Sequence, residues 1–552
     1  MNYFEALRLT LSADGAAAKL RRDALASVEW SPSPTAGVAY TAANRLLLIA
    51  DAETAARIAA RMPEKMLVYA AIPAKKNGSG DAPNFHFCAD LSLRGHLGRF
   101  RAQAGGEDLA EIFRIESGVF DHALDCGAKP LIQAELKPPG YRHAPNAAAQ
   151  DAAAREIPEW IGEFEKPKYF EYDADICAHS RSGIAGCTRC IDACPAEAIT
   201  SSGEGIAVDP HLCQGAGACA SACPSGAIRY AYPRVHEQID MLRTAIGHWR
   251  RGEKTHGAEV LFFDSGRGRE ALEKIAPALD ARIFPVAVEE IGAAGLDLIA
   301  PALAYGAARA WLLAPPETPK KEVATLKHNL AVLHAVMKQC GEDETRAAVV
   351  ESADEILKSA PMPPPARAAT FAAAGDKRAI IRAALSFFAE CAEPPPGAAA
   401  LPQGAMFGHV RVDENACTLC MGCVAVCPAN ALQAGGDTPA LKLIEANCVQ
   451  CGICARACPE SALTLEARLH FDAAFARAPR ALKEEEAFRC IRCDKPFATA
   501  SMIGRMREKL KGHWMFATPE AARRLRMCED CRVLDMLEHE NRVSAAKPPE
   551  NG

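Results

Sequence analysis

The chain has 552 residues, and at roughly 100–200 residues per domain it holds several domains, so no single activity has to account for all of it. A formal net charge of -6, from Lys+Arg 63 against Asp+Glu 69, excludes the basic footprint that nucleic-acid binding requires. The most apolar window, starting at Leu296, is broken by Asp297, Pro301 and Arg309, so no integral membrane segment is expected.

In chain order, the opening MNYFEALRLTLSADG lacks a basic segment running into an apolar one and a small-residue cleavage site, which points to the cytoplasm. Residues 1–155 read as an α/β domain, with RLLLIAD and KMLVYAA as buried strands around the helical AETAARIAARM. The Ala-rich NAAAQDAAAREIPEWIGEFEKP is expected to be a helical connector into a first cysteine module at 170–232. Over 256–355, EVLFFD, ARIFPVAVE, ARAWLLAP and RAAVVE alternate with helical segments near Gly268–Leu279, Leu296–Tyr305 and Lys320–Cys340. That alternation predicts a parallel sheet covered by helices.

Pro-rich stretches then bracket a linker helix at 376–392. A second cysteine module follows at 408–468, and a C-terminal four-cysteine region at 486–540. The tail SAAKPPENG is expected to be disordered. The predicted fold class is multidomain, α/β and α+β.

Cysteine usage is the strongest signal. There are 23, of which 19 fall into three groups of repeating spacing, and in a chain without an export signal this reads as metal ligation rather than disulfides. Cys88, Cys126, Cys340 and Cys391 stand alone and read as small buried hydrophobes. The second module repeats the first: 18 residues separate Cys194 from Cys213, and 20 separate Cys427 from Cys448.

CTLCMGCVAVCP followed by CVQCGICARACP makes two copies of C-x2-C-x2-C-x3-C-P. Two intervening residues let a loop curl round a cube of iron and sulfur, so that successive thiolates meet adjacent irons. This pattern resembles the two-cluster bacterial ferredoxin family, in which the fourth cysteine of each run crosses to the other cluster. The resemblance implies one 4Fe-4S cluster on Cys417, Cys420, Cys423 and Cys458, and another on Cys448, Cys451, Cys454 and Cys427.

The first module departs from this pattern twice. In CAHSRSGIAGCTRCIDACP, nine residues replace the usual two between Cys177 and Cys187, an insertion that only lengthens a surface loop. Cys177, Cys187, Cys190 and Cys223 still make a complete 4Fe-4S set. In CQGAGACASACP, Ala216 stands where a middle cysteine would be, leaving Cys194, Cys213 and Cys219. Three thiolates favour a 3Fe-4S cluster, as in ferredoxins of the seven-iron type. A 4Fe-4S cluster would need water or a side chain such as His179 or Asp209, and an empty site is the remaining alternative.

Cys490 and Cys493, answered by Cys528 and Cys531 after 34 residues, form two C-x2-C knuckles without a Cys-Pro terminus, which favours structural zinc. The turn DSGRGRE places Gly266 and Gly268 where a phosphate loop could lie, but it lacks the third glycine and a Walker lysine, so no nucleotide is expected there. The surrounding α/β segment resembles the delta subunit of methyl-viologen-reducing hydrogenase without that subunit's cysteines, which implies a docking surface only.

The whole arrangement resembles long bacterial ferredoxin-like proteins associated with molybdenum-dependent formate dehydrogenases, which implies such an enzyme as redox partner. The reading is an electron carrier or oxidoreductase subunit rather than a stand-alone enzyme. Its alternatives are an assembly factor for a cluster- or molybdenum-containing oxidoreductase, and a redox enzyme with its substrate in the 256–355 domain.

Overall fold

The strand Arg45–Ile49 lies in the middle of a six-stranded sheet in the computed structural model, which describes residues 9, 11, 14–75, 77–79, 84–436 and 438–545. Most of the opening MNYFEALRLTLSADG and the end of the tail SAAKPPENG lie outside the described residues. The chain divides into two units. Unit 1 comprises Met1–Ala174, Thr188–Ser202 and Ile206–Cys391, and unit 2 comprises Asp175–Cys187, Gly203–Gly205 and Ala392–Gly552.

In unit 1 the sheet runs in the order Tyr141–His143, His122–Asp125, Arg45–Ile49, Leu67–Pro73, Phe85–Cys88 and Gly78–Ser79. All neighbours are parallel except the last pair. Leu46 and Leu48 enter one core while Leu47 and Ile49 enter the other, so this strand is apolar throughout because both its faces are covered. Asp51 caps the following helix, Ala52–Ala59, by accepting from the Thr54 amide at 2.9 Å.

The expected helical connector is helical only over Ala147–Glu156. Pro158 disfavours helix at the residue before it, and a short 3-10 turn, Ile157–Trp160, ends the helical part. Gly162–Pro167 is instead a strand, antiparallel to Gly37–Ala42. Phe164 packs on Val38, Tyr40 and Leu97 while Glu163 and Glu165 face outward, a period-two pattern that the Ala-rich composition upstream obscures.

The second sheet of unit 1 is fully parallel, in the order Ile283–Val288, Glu259–Asp264, Arg309–Leu313 and Ala347–Val350. Glu259 is fully buried and fully partnered: Oε1 accepts from Arg282 Nε at 3.0 Å and Oε2 from Trp311 Nε1 at 2.7 Å. At the end of the same strand, the Asp264 carboxylate accepts the amides of Gly266 (2.9 Å) and Gly268 (3.0 Å). The turn that resembled a phosphate loop thus has its amides occupied by its own chain.

The helix Lys377–Cys391, expected as a linker, is part of the core, with Ile380, Ile381, Ala384, Leu385 and Phe388 buried. The Pro-rich flanks suggested a spacer, but the apolar stripe of the helix decides where it packs.

Beneath this sheet the fully buried Glu322 accepts the Gly292 amide on Oε2 at 2.8 Å, and its Oε1 has no partner. Burial, and then the neighbouring Glu290, push its carboxyl up to about 8. A carboxyl raised in the folded state contributes stability that is complete below its unfolded value near 4.5 and is lost as pH rises through about 8. The free energy of unfolding should therefore fall by an amount on the order of 3 kcal/mol between pH 5.5 and 8.5, with Glu290, itself raised to about 7 by burial, adding to the slope. Glu322→Gln should flatten that slope in urea titrations, and an unchanged slope would sink this account of the site.

Unit 2 is built round an antiparallel pair, Gly408–Val412 with Leu463–His470, and a hairpin, Leu432–Ala434 with Ala440–Leu443. Short helices Gly422–Ala425 and Ile453–Ala457 lie between. Unit 1 holds the same plan in the first module: Phe170–Tyr172 pairs with Ile228–Tyr230 and Ile199–Ser201 with Ile206–Val208, around helices Arg189–Ala193 and Ala218–Ala222. The C-terminal region adds a hairpin, Ala487–Arg489 with Pro496–Thr499, and helices Ala500–Lys509 and Glu529–Ala545. Among the described residues no helix is long and apolar enough to cross a membrane.

Candidate metal centres

Each cysteine run of the second module is shaped by residues in the left-handed region. Leu419 and Met421 have positive φ after Cys417, and Gln450 and Gly452 do so after Cys448, so both loops curl identically over C-x2-C-x2-C. The Cys-Pro end of each run makes a second device. Asn430 and Ser461, three residues beyond Cys427 and Cys458, again have positive φ. The next amide then turns back, so that Ala431 and Ala462 each donate to the cysteine Sγ at 3.3 Å. Proline holds its own φ fixed and carries no N–H, so only the later amide reaches the sulfur.

The structure brings the cysteines together in two sets. Cys417, Cys420, Cys423 and Cys458 line one cavity with Leu441 and Leu463. Cys427, Cys448, Cys451 and Cys454 line another with Val410 and Leu432. Burial, reinforced by Cys417, Cys420 and Cys458, pushes the Cys423 thiol up to about 12. Cys454 is raised by burial and by Cys448, Cys451 and Cys427. Gln450 Nε2 also donates to Cys448 Sγ at 3.2 Å. Apolar walls, converging thiols and donors aimed at sulfur fit an anionic iron–sulfur cube that binds thiolates and is stabilised by hydrogen bonds.

The loop before Cys448 is anchored by Glu445. Burial alone would raise its carboxyl, but His409 and Arg468 hold it down to about 2. Arg468 reaches both its oxygens, at 3.0 and 2.7 Å.

The first module repeats these devices in unit 1. Glu197 and Gly226 have positive φ three residues beyond Cys194 and Cys223, and Ala198 donates to Cys194 Sγ at 3.3 Å. Gly215 and Gly217 have positive φ, matching Gln450 and Gly452, so Ala216 occupies the place of Cys451 in a loop that keeps the cluster-binding curl. A Cβ on Gly217 would come 2.4 Å from Ala293 Cα, so the loop is pressed onto its neighbour. Cys213, Cys194 and Cys190 all stand close enough to raise the half-buried Cys219 thiol, after desolvation itself.

Of the suggested fourth donors, Asp209 accepts the amides of His211 (2.8 Å) and Leu212 (3.3 Å) and so shapes the turn before Cys213. In unit 2, His179 Nδ1 is bonded to the Cys187 carbonyl at 3.0 Å, and the insertion before Cys187 is a hairpin, Ser180–Arg181 with Ile184–Ala185.

A family model described as a 4Fe-4S dicluster domain matches residues 185–227 and 416–462. The chain carries two ferredoxin-type dicluster domains. No curated protein matches it. The first match begins at residue 185, after Cys177, so the opening of that cysteine run lies outside the matched segment.

Four lysines complete these dicluster domains, and none was legible as part of them in the sequence. Lys377 Nζ donates to the carbonyls of Ala220 (2.5 Å), Ser221 (2.8 Å) and Cys223 (3.1 Å). Lys166 donates to Cys213 O at 2.5 Å, Lys321 to Cys194 O at 3.1 Å, and Lys483 to Cys417 O. Each ammonium therefore sits on the main chain of a cysteine that the repeat assigns to a cluster. At Cys223, burial raises the thiol, but Lys377 and nearby amides outweigh it and the net shift is downward. No spacing rule joins these lysines to the cysteines, since Lys377 follows Cys223 by more than a hundred residues.

The remaining group is of a different kind. The sulfur atoms of Cys490, Cys493, Cys528 and Cys531 all lie within 4.8 Å of one another, and those of Cys493 and Cys528 are 3.7 Å apart. A tetrahedral zinc with Zn–S bonds of about 2.3 Å separates its sulfurs by about 3.8 Å, so the set fits a single ion. A cubane would spread them further. Arg492 N also donates to Cys490 Sγ at 3.5 Å, and Met527 and Phe497 pack over the group.

Proposed function

We propose that the chain is a multi-cluster electron carrier. Three 4Fe-4S clusters sit on Cys417/Cys420/Cys423/Cys458, Cys448/Cys451/Cys454/Cys427 and Cys177/Cys187/Cys190/Cys223. A 3Fe-4S centre sits on Cys194/Cys213/Cys219, and a structural zinc on Cys490/Cys493/Cys528/Cys531. The observation that carries the relay is in unit 2: Cys187, from the run that opens the first domain, lies close enough to Cys451 of the second to raise its thiol.

The hairpin bearing Cys187 rests on the helix of Cys454, with Arg456 Nη2 donating to Gly186 O at 3.4 Å. A Cβ on Gly186 would lie 2.6 Å from Ile453 Cδ1, so glycine permits this close approach. Ligands of two clusters held side by side on rigid loops suit electron exchange between them. The chain passes electrons between redox proteins, and a molybdenum-dependent formate dehydrogenase is the partner that the resemblance suggests.

Anaerobic purification should give about fifteen irons per chain with an EPR signal in the oxidised state from the three-iron centre. Formate with such a dehydrogenase should reduce the clusters, and an acceptor protein should reoxidise them. Fewer than about twelve irons would overturn the cluster assignment. Tight binding to apo-dehydrogenase with no effect on turnover would favour an assembly factor instead.

A further inference from the structure

Unit 1 contains a cavity of about 1050 Å³, at the upper end of the range of small-molecule sites, and no cluster ligand lines it. Its wall carries Arg94, Arg99 and Arg101, together with Tyr40, His96 and His211. Arg94 and Arg101 face each other in register across the antiparallel strands Leu91–Arg94 and Arg101–Ala104. Like charges directly opposite are destabilising. Yet none of the three arginine side chains makes an ion pair or hydrogen bond with a described residue. The carboxylate in the lining, Asp209, is already engaged by two amides and by His211 at 3.6 Å.

The aromatic part of the lining is ordered. The rings of His96 and His211 stack at 4.5 Å and 6°, and both meet Tyr40 edge-on. Tyr40 donates its hydroxyl to His211 O at 2.6 Å, and the Lys166 ammonium lies 5.0 Å over its ring. The loop between the arginines is fixed by tight backbone contacts: a Cβ on Gly98 would lie 2.1 Å from Thr41 O, and one on Gly95 2.2 Å from Arg99 O. Arg94, Arg99 and Arg101, all solvent-exposed, are therefore carried into the cavity lining on a fixed loop and hairpin.

We propose that this cavity binds a phosphorylated small molecule of about mononucleotide size, with Arg94, Arg99 and Arg101 on its phosphate oxygens and the His96–His211 stack against its planar part. Three exposed arginines and one engaged carboxylate in the lining leave an excess of positive charge that favours an anion of at least two charges, and a phosphate ester is a compact dianion that guanidinium forks grip bidentately. The cavity has room for a nucleoside-sized group beyond the phosphate. The wall segment Asp209–Leu212 runs directly into Cys213, so an occupant would sit against the main chain that carries a cluster ligand.

The test is calorimetric titration of the full chain, with its clusters intact, using ADP, FMN and inorganic pyrophosphate, with citrate as a carboxylate polyanion. At least one phosphorylated probe should bind saturably, and at least tenfold more tightly than citrate. Arg94→Ser/Arg101→Ser should weaken that binding at least tenfold while the visible absorption of the clusters stays unchanged, which shows the variant is folded. The proposal is overturned if no phosphorylated probe binds, if the double variant binds as the wild type does, or if citrate binds equally well.

Discussion

Replacing Cys528 by serine, or stripping the four-cysteine group with a chelator, should release the C-terminal region from its fold while leaving the iron content intact. Its apolar core is small: Ile503 and Leu525 are buried, and Met527 and Phe497 pack on the cysteines themselves. Val533, Leu534, Met536 and Leu537, on the last helix, are all exposed. A segment with so little buried apolar surface needs a staple, and structural zinc supplies on the order of 10–16 kcal/mol of apparent binding free energy at pH 7. Without the ion, burial raises the Cys490 thiol, but the amides around it, including that of Arg492, and a hydrogen bond with Cys493 outweigh burial and bring it down to about 6. A thiolate is thus ready at neutral pH to begin metal binding.

Limited proteolysis should cut the metal-free chain within residues 486–545, and zinc analysis should fall from about one ion per chain to none. Protease resistance equal to that of the wild type, in a variant free of zinc, would disprove a structural role for the metal.

The parts of the molecule that were legible in the sequence are those with a short-range code. Cysteine spacing marked the cluster loops because a ligand loop must curl over a fixed number of residues, and the positive φ values at Leu419, Met421, Gln450 and Gly452 are the local form of that demand. The parallel sheet of residues 256–355 was legible because strands buried on both faces read as unbroken apolar runs.

What was missed is long-range. The helix Lys377–Cys391 was bracketed by prolines and read as a linker, yet its apolar stripe packs into the core of unit 1. The strand Gly162–Pro167 continued an Ala-rich helical stretch in composition and differed only in its alternation about Phe164. Arg94, Arg99 and Arg101 are unremarkable among 63 basic residues until Gly95 and Gly98 bend the chain and the strands set two of them face to face.

Lys377→Met should lower the midpoint potential of the centre proposed on Cys223. The ammonium is buried and bonded to three consecutive-turn carbonyls, including that of Cys223 itself, so its charge is poorly screened by water. A cluster gains one negative charge on reduction, and a nearby cation therefore favours the reduced form. Across a separation on the order of 8 Å, with an effective dielectric of about 20, the interaction is about 2 kcal/mol. For one electron that is roughly 85 mV, since about 59 mV corresponds to a tenfold change in equilibrium constant.

The methionine variant also leaves three buried carbonyls without their donor, at a cost of about 1–3 kcal/mol for each group left unsatisfied, so Lys377→Arg is the companion that keeps the charge. Redox titration followed by EPR should show the potential falling in the methionine variant and staying near the wild-type value in the arginine variant. Equal potentials in all three would mean that Lys377 only fastens the helix Lys377–Cys391 to the loop Ala220–Cys223. A shift in the methionine variant alone would instead make the Lys377 charge what sets the potential at the Cys223 thiolate, and would extend the same expectation to the lysines at Cys213, Cys194 and Cys417.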